Sequence, residues 1–267
     1  MKIFKIKGTK YRIMVFLIFG FLMFNFAFLE VSSAILTTKV NSNHIKIDLF
    51  YHGDKVSVSG LSDLNVDLII KITSPEEEQV LRKKGKVGGL LWMNVGNLKF
   101  EHVPDLYFLH STGDIEDILS QEEMDKYVIG YEALNKHIEI KSLKSEGEKS
   151  RWFNEFVKFK ESSRLYSSSS GKISLTEKNG KQNYYILLNW PYQATPGNYT
   201  VTAYAVKDRK VIETAQAEIL VEQVGPIRAF ANMAKNNGAL FGAISIIVAL
   251  GAGFGVGMIF RKGGGSH

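Results

Sequence analysis

The sequence predicts a mainly β protein with a helical insertion: an immunoglobulin-like β-sandwich ectodomain plus one C-terminal transmembrane helix. Three observations predict it. Alternation of apolar and polar residues runs through 44–112 and returns over 172–221. Between them, aromatic and aliphatic residues recur at helical spacing. Near the C-terminus, Leu240 to Phe260 is 21 residues without a charge. As helix that run is about 31 Å long, enough to cross a hydrocarbon core.

Composition narrows the classes. The chain has 267 residues, 45% hydrophobic and 22% charged, which suits a folded protein. It has no cysteine, which excludes disulfide scaffolds, thiolate zinc sites, iron–sulfur clusters and cysteine nucleophiles. The formal charge is +6. A basic balance raises nucleic acid as a partner, but only where the charge is concentrated on one face. Here Lys2, Lys5, Lys7, Lys10 and Arg12 stand against Glu30 at one end, and Arg261 and Lys262 sit at the other. The remainder, 35–260, is electrically neutral, so no nucleic-acid role is expected.

From the N-terminus, the basic residues precede an apolar run, Ile13 to Leu29, followed by Val31-Ser32-Ser33-Ala34. That order reads as a signal peptide over 1–34, with an uncleaved anchor as the alternative. The ectodomain then occupies 35–225. His44–Phe50, Lys55–Gly60 and Val66–Thr73 read as strands, and Phe100–Leu109 as an extended segment interrupted by Pro104. Helices are expected over about 114–166. Asp114 would cap the first, Tyr131, Leu134 and Ile138 mark a second, and 149–166 is the third. Ser167–Gly171 reads as a polar break. Strands return at Lys172–Glu177, Asn183–Asn189, Tyr199–Val206 and Val211–Val221. Gly197 precedes Tyr199 in Pro196-Gly197-Asn198-Tyr199, the pattern of a tyrosine corner in a sandwich. Two small domains, 35–112 and 167–223, are the alternative to one sandwich with an insertion.

Residues 226–239 form an amphipathic juxtamembrane segment, 240–260 the membrane helix, and 261–267 a cytoplasmic tail. Arg261 and Lys262 place the tail inside and the body outside, exported across the membrane. Gly238, Gly242, Gly251, Gly253, Gly255 and Gly257 fall at small-xxx-small spacings, which let two helices approach closely in lipid. A membrane-protein partner or self-association is expected there, besides the lipid bilayer itself.

No residue pattern calls for catalysis, a cofactor or a metal. The histidines make no His-x₃-His pair, although His102 and His110 could meet across an extended segment. There is no Gly-x-Ser-x-Gly elbow and no phosphate-cradling glycine loop in the ectodomain. The acidic runs Glu76–Glu78 and Glu116–Asp125 read as ordinary surface or helix-start charge. The basic run Arg82, Lys83, Lys84 and Lys86 stands out in a neutral ectodomain. It reads as a loop facing an anion or lipid head groups, or else as a solvated loop protecting a strand edge.

The phrase Arg82-Lys83-Lys84-Gly85-Lys86-Val87-Gly88-Gly89-Leu90-Leu91-Trp92-Met93-Asn94, then Val103-Pro104-Asp105-Leu106-Tyr107, resembles the Alph_Pro_TM family of bacterial transmembrane proteins. Gly89 and Trp92 are one residue further apart than in the family pattern. The resemblance implies a signal, a periplasmic body and one C-terminal helix. It also implies association with permeases similar to TauE/SafE sulfite exporters, and a non-enzymatic accessory role in anion transport. Arg82, Lys83, Lys84, Trp92, Asn94, Pro104 and Tyr107 are the family positions. Asn94 and Tyr107 join the basic residues as partner-facing candidates, and Trp92 is favoured as a buried core tryptophan. The alternative function is a stand-alone periplasmic module binding a small anion or an envelope component. A hydrolase ranks third.

Overall fold

A computed structural model describes residues 35–141, 143 and 146–261. The signal or anchor expected over 1–34 and the tail 262–267 lie outside the described residues. Leu36 onward forms one compact unit.

Strands β1 (Lys39–Val40), β3 (Asp54–Ser62), β11 (Lys181–Trp190) and β10 (Ser174–Lys178) form a four-stranded sheet in that order. A six-stranded sheet runs β2 (His44–Ile47), β13 (Lys210–Gln223), β12 (Gly197–Lys207), β4 (Asp67–Thr73), β7 (Tyr107–Ser111), β9 (Tyr166–Ser170). Early and late strands interleave, β3 with β11 and β4 with β12, so both build one sandwich.

The core follows from period-two alternation. On β11, Tyr184, Ile186, Leu188 and Trp190 are buried while Tyr185 and Leu187 are exposed. Trp190 crosses to the other sheet, meeting Phe108 of β7 at 6.3 Å and Tyr199 of β12 at 4.9 Å between ring centroids. Strand β4 is instead buried on both faces at Leu68, Ile69, Ile70 and Ile72. Its second face is covered by the helical insertion, which explains its continuous apolar run. Each such side chain contributes about 1.5–3 kcal/mol by leaving water.

The insertion holds α1 (Ile115–Ile118), α2 (Gln121–Tyr127), α3 (Tyr131–His137) and α4 (Glu146–Ser162). Asp114 is the N-cap residue of α1, without a side-chain capping bond. Ser120 caps α2 by accepting from the Glu123 amide. Tyr127 of α2 packs edge-on against Tyr204 of β12, and its carbonyl accepts from Lys71 of β4. Ser167–Ser170, expected within a polar break, is most of β9. Its backbone pairs in parallel with β7, and its serines give no apolar alternation to read.

The largest departure from expectation is a third sheet. Strands β5 (Glu76–Val87) and β6 (Leu91–Pro104) form a long antiparallel hairpin, extended at its stem by β8 (Glu139–Lys141). The basic run 82–86 is therefore strand and not loop. Gly88 and Gly89 turn the hairpin with φ of 62° and 76°. Two successive positive φ values are the requirement that Gly-Gly meets without steric cost.

Strand β13 leads into α5 (Gly225–Asn236) and α6 (Gly238–Arg261). The stretch Gly238–Met258 has mean hydropathy 2.2 and no residue buried inside the protein.

Candidate functional site

The family phrase Val103–Tyr107 lies where the hairpin stem returns to the sandwich. Asp105 is its centre. Its carboxylate accepts from Lys160 Nζ of α4 at 2.7 Å, Gln79 Nε2 of β5 at 3.2 Å and Thr195 Oγ1 at 3.0 Å. Its amide donates to Ser74 Oγ. Lys160 is only 2% exposed and lies near the Phe156 and Tyr166 rings. Burial pulls its pKa below the usual lysine value, opposed by the bond to Asp105. The neighbouring Pro104 carbonyl accepts from the Tyr166 hydroxyl at 2.8 Å. One short segment thus ties the hairpin, the insertion and the sandwich together.

Tyr107 corrects one expectation. It is 1% exposed and cannot face a partner. Its hydroxyl donates to the Val128 carbonyl and accepts from the Gly130 amide, fixing the link between α2 and α3. Burial pushes its pKa up. Tyr199 is also buried, and its hydroxyl donates to the Thr195 carbonyl at 2.6 Å, the bond of a tyrosine corner. Gly197 opens β12 opposite Val221.

Trp92 corrects another. It was expected in the core, and it is 66% exposed. Trp190 fills the core position, because β11 lies inside the sandwich whereas β6 leaves it. The alternation Tyr184-Ile186-Leu188-Trp190 was the signal for this.

The hairpin separates the basic run into two roles. Neighbouring strand residues point to opposite faces, and residues directly across a ladder share one. Lys86 lies opposite Trp92 and Lys84 opposite Asn94. Lys86 Nζ sits 5.5 Å from the Trp92 ring centroid. Arg82 continues this side of β5. Lys83 points the other way, and its Nζ lies 4.7 Å from the Trp152 ring of α4. It fastens the stem to the insertion. Asn94 accepts from the Gly96 amide, supporting the irregular pairing near Gly96.

The opposite side of the tip is apolar. Val87 pairs with Leu91 and Gly85 with Met93. Val95 closes over Gly85, where a Cβ would come within 2.8 Å of a Val95 methyl. Glycine at 85 is what lets this apolar face pack.

The histidines do not converge on a pocket. His110 is buried against Ser169 Oγ at 2.6 Å, and His102 does not approach it. Burial, then Lys172, lower the His110 pKa to about 4. An irregular pairing at the stem puts His102 at φ 58° and aims it at Glu76, which also binds His137 at 2.8 Å. His44 pairs with Glu222 and His52 with the Phe50 carbonyl. Among the described residues, no group of three such side chains could hold a metal.

On α6 the glycines divide. At about 100° per residue, Gly238, Gly242, Gly253 and Gly257 share a face with Ala249, and Gly251 and Gly255 lie on the opposite one. Ala249, Gly253 and Gly257 line a shallow groove with Leu250, Phe254 and Met258.

Residues 35–262 match the family model described as "Putative transmembrane protein (Alph_Pro_TM)". The chain belongs to the Alph_Pro_TM family. Its matched region spans the sandwich, the hairpin and the apolar helix. No curated protein matches this Alph_Pro_TM chain. Among solved structures, it is similar to a Corynebacterium diphtheriae protein titled "Putative membrane anchored protein", with 13% identity and a TM-score of 0.22. The match covers 74% of this chain and 37% of that one, so the chain spans little more than a third of its length. A transmembrane family and one long apolar helix suit a protein inserted in a lipid bilayer.

Proposed function

We propose that this chain is a non-enzymatic, single-pass inner-membrane protein with its immunoglobulin-like sandwich in the periplasm. Its role is to accompany a membrane permease of the type that exports sulfite or organosulfur anions. The groove on α6 carries the reading. Ala249, Gly253 and Gly257, at four-residue spacing, line it together with Leu250, Phe254 and Met258. In lipid, where no hydrophobic effect joins helices, such close-approach surfaces give specific helix pairing. The permease as occupant comes from the family resemblance.

Strand order supports the immunoglobulin-like part. The first strand pairs in one sheet as β1 and crosses to the other as β2, parallel to β13. Four strands face a sheet with β13, β12, β4 and β7 in sequence, the arrangement of variable-type sandwiches. The buried polar residues around Asp105 support a non-enzymatic role, since they are engaged in joining elements.

Purification in mild detergent, with partners identified by mass spectrometry, tests the proposal. The expected result is a co-purifying permease that is lost on Gly253→Leu with Gly257→Leu and retained on Gly251→Leu with Gly255→Leu. Recovery of a bare monomer from the unmodified chain would sink it.

A further inference from the structure

The β5–β6 tip carries large apolar side chains that the fold leaves uncovered. Leu90, Leu91 and Met93 are exposed, with Val87 and Val95 beside them, and Trp92 stands on the other face with Arg82, Lys84 and Lys86. These side chains remain about half or more exposed, and exposed apolar groups in one patch mark a contact.

Strand register shows which way the hairpin leaves the sandwich. Thr73, at the end of β4, lies opposite Thr200 near the start of β12. Thr200 lies opposite Glu218, close to the end of β13. The hairpin therefore departs from the end at which β13 delivers the chain to α5 and α6. Other uncovered apolar groups gather at this same end. The Val224 amide donates to the Ile47 carbonyl, so the turn after β2, with Leu49 and Phe50, adjoins the exit toward α5. Phe50 is 81% exposed. Tyr192, in the connection from β11 to β12, is exposed there too, as is Phe230 on α5. Helix α5 contains Arg228 and Lys235 and no acidic residue.

We propose that the hairpin tip docks on the bilayer that α6 crosses, and that it recognises anionic phospholipid. The apolar face of Val87, Leu91, Met93 and Val95 enters the boundary between head groups and acyl chains, with Leu90 at the leading turn. Arg82, Lys84 and Lys86, on the other face of the ribbon, reach phosphate groups above that boundary through their flexible stems. Trp92, stacked on Lys86, suits the interfacial depth where tryptophan concentrates in membrane proteins. A bilayer fits better than a protein groove for two reasons. The apolar points lie on separate segments of one end, as a plane would require, and that end already faces the chain's own membrane. This rests on α6 spanning the bilayer and not on the permease.

The absence of native cysteine makes a single-label experiment clean. The full chain, spin-labelled at Leu91→Cys, is reconstituted into phosphatidylcholine vesicles with and without phosphatidylglycerol. Collisions with oxygen and with a water-soluble nickel chelate are read by power saturation. Labels at Val248→Cys on α6 and Leu187→Cys on β11 report the span and the aqueous body. The expected result is loss of nickel collisions at 91 in phosphatidylglycerol vesicles, with 248 shielded and 187 accessible throughout. Arg82→Glu with Lys84→Glu and Lys86→Glu should restore nickel access at 91 and leave 187 and 248 unchanged. A label at 91 that stays open to nickel while 248 is shielded overturns the proposal but leaves the anchor intact. Access at both positions overturns the anchor as well. Shielding at 91 that survives charge reversal, or spin–spin broadening between labels at 91, overturns it in favour of a contact with a second copy.

Discussion

Along the β5–β6 hairpin one backbone ladder carries two unlike chemistries. In the stem, Leu98, Phe100 and Val103 are buried, Phe100 stacks on Phe156 at 4.7 Å, and Lys83 reaches Trp152. Asp105 closes the stem with bonds to three separate elements. In the tip, residues just as apolar stay exposed, and Lys84 and Lys86 face outward. The contrast shows that hydrophobic sequence alone does not report burial. It reports burial only where the strand returns to the body.

The stem should break most severely. Lys160→Ala leaves the Asp105 carboxylate without its buried cation, and removal of one member of such a pair costs about 3–5 kcal/mol. Denaturant unfolding followed by near-ultraviolet circular dichroism measures this. Replacing both, Lys160→Met with Asp105→Leu, should be less damaging than Lys160→Ala alone. Equal or greater damage from the double change would mean that the Asp105 carboxylate acts mainly through Gln79 and Thr195, and not through Lys160.

A second effect belongs to the sandwich beside the stem. His110 is buried, and burial first, then Lys172, lower its pKa to about 4. The unfolded chain binds a proton near the ordinary histidine value, so between about 6.5 and about 4 it holds more proton than the folded chain. Stability from this group is complete above that window and is lost as pH falls through it. The full loss amounts to about 3 kcal/mol. Unfolding midpoints across this range should fall less steeply for His110→Gln than for the unmodified chain. Identical slopes would show that His110 takes up its proton in the folded state as readily as in the unfolded one.

These contrasts also mark how far the sequence could be read. The sandwich strands were legible because one buried face imposes alternation, as at Ile186, Leu188 and Trp190. The apolar helix was legible from length and hydropathy alone. The tyrosine corner at Tyr199 was legible from its turn. The hairpin was legible only at its stem, where Phe100–Leu109 read as extended; further out the ribbon has no buried side to set a period, and β5 reads Glu-Glu-Glu-Gln-Val-Leu-Arg-Lys-Lys. Gly88-Gly89 was its one signal. The same blindness merged Lys83 with Lys84, although adjacent strand positions point apart. Asp105 was quoted only as a letter in a motif. Its partners come from β5, α4 and the connection before β12, and nothing local in the sequence brings them together.

The smallest expected effect lies at the tip. Leu91→Ser with Met93→Ser removes two large apolar groups and should change unfolding stability in detergent by no more than about 0.5 kcal/mol, as for surface positions without partners. The same chemistry in the stem, Phe100→Ser, should be several times worse, because Phe100 leaves a cavity beside Phe156. Unfolding of both variants under one set of conditions measures the ratio. If the tip variant loses as much as the stem variant, Val87, Leu91, Met93 and Val95 form a folded cluster that stabilises the hairpin from within. If it loses nothing, their apolar character has no role in folding, and only a surface outside the chain accounts for it.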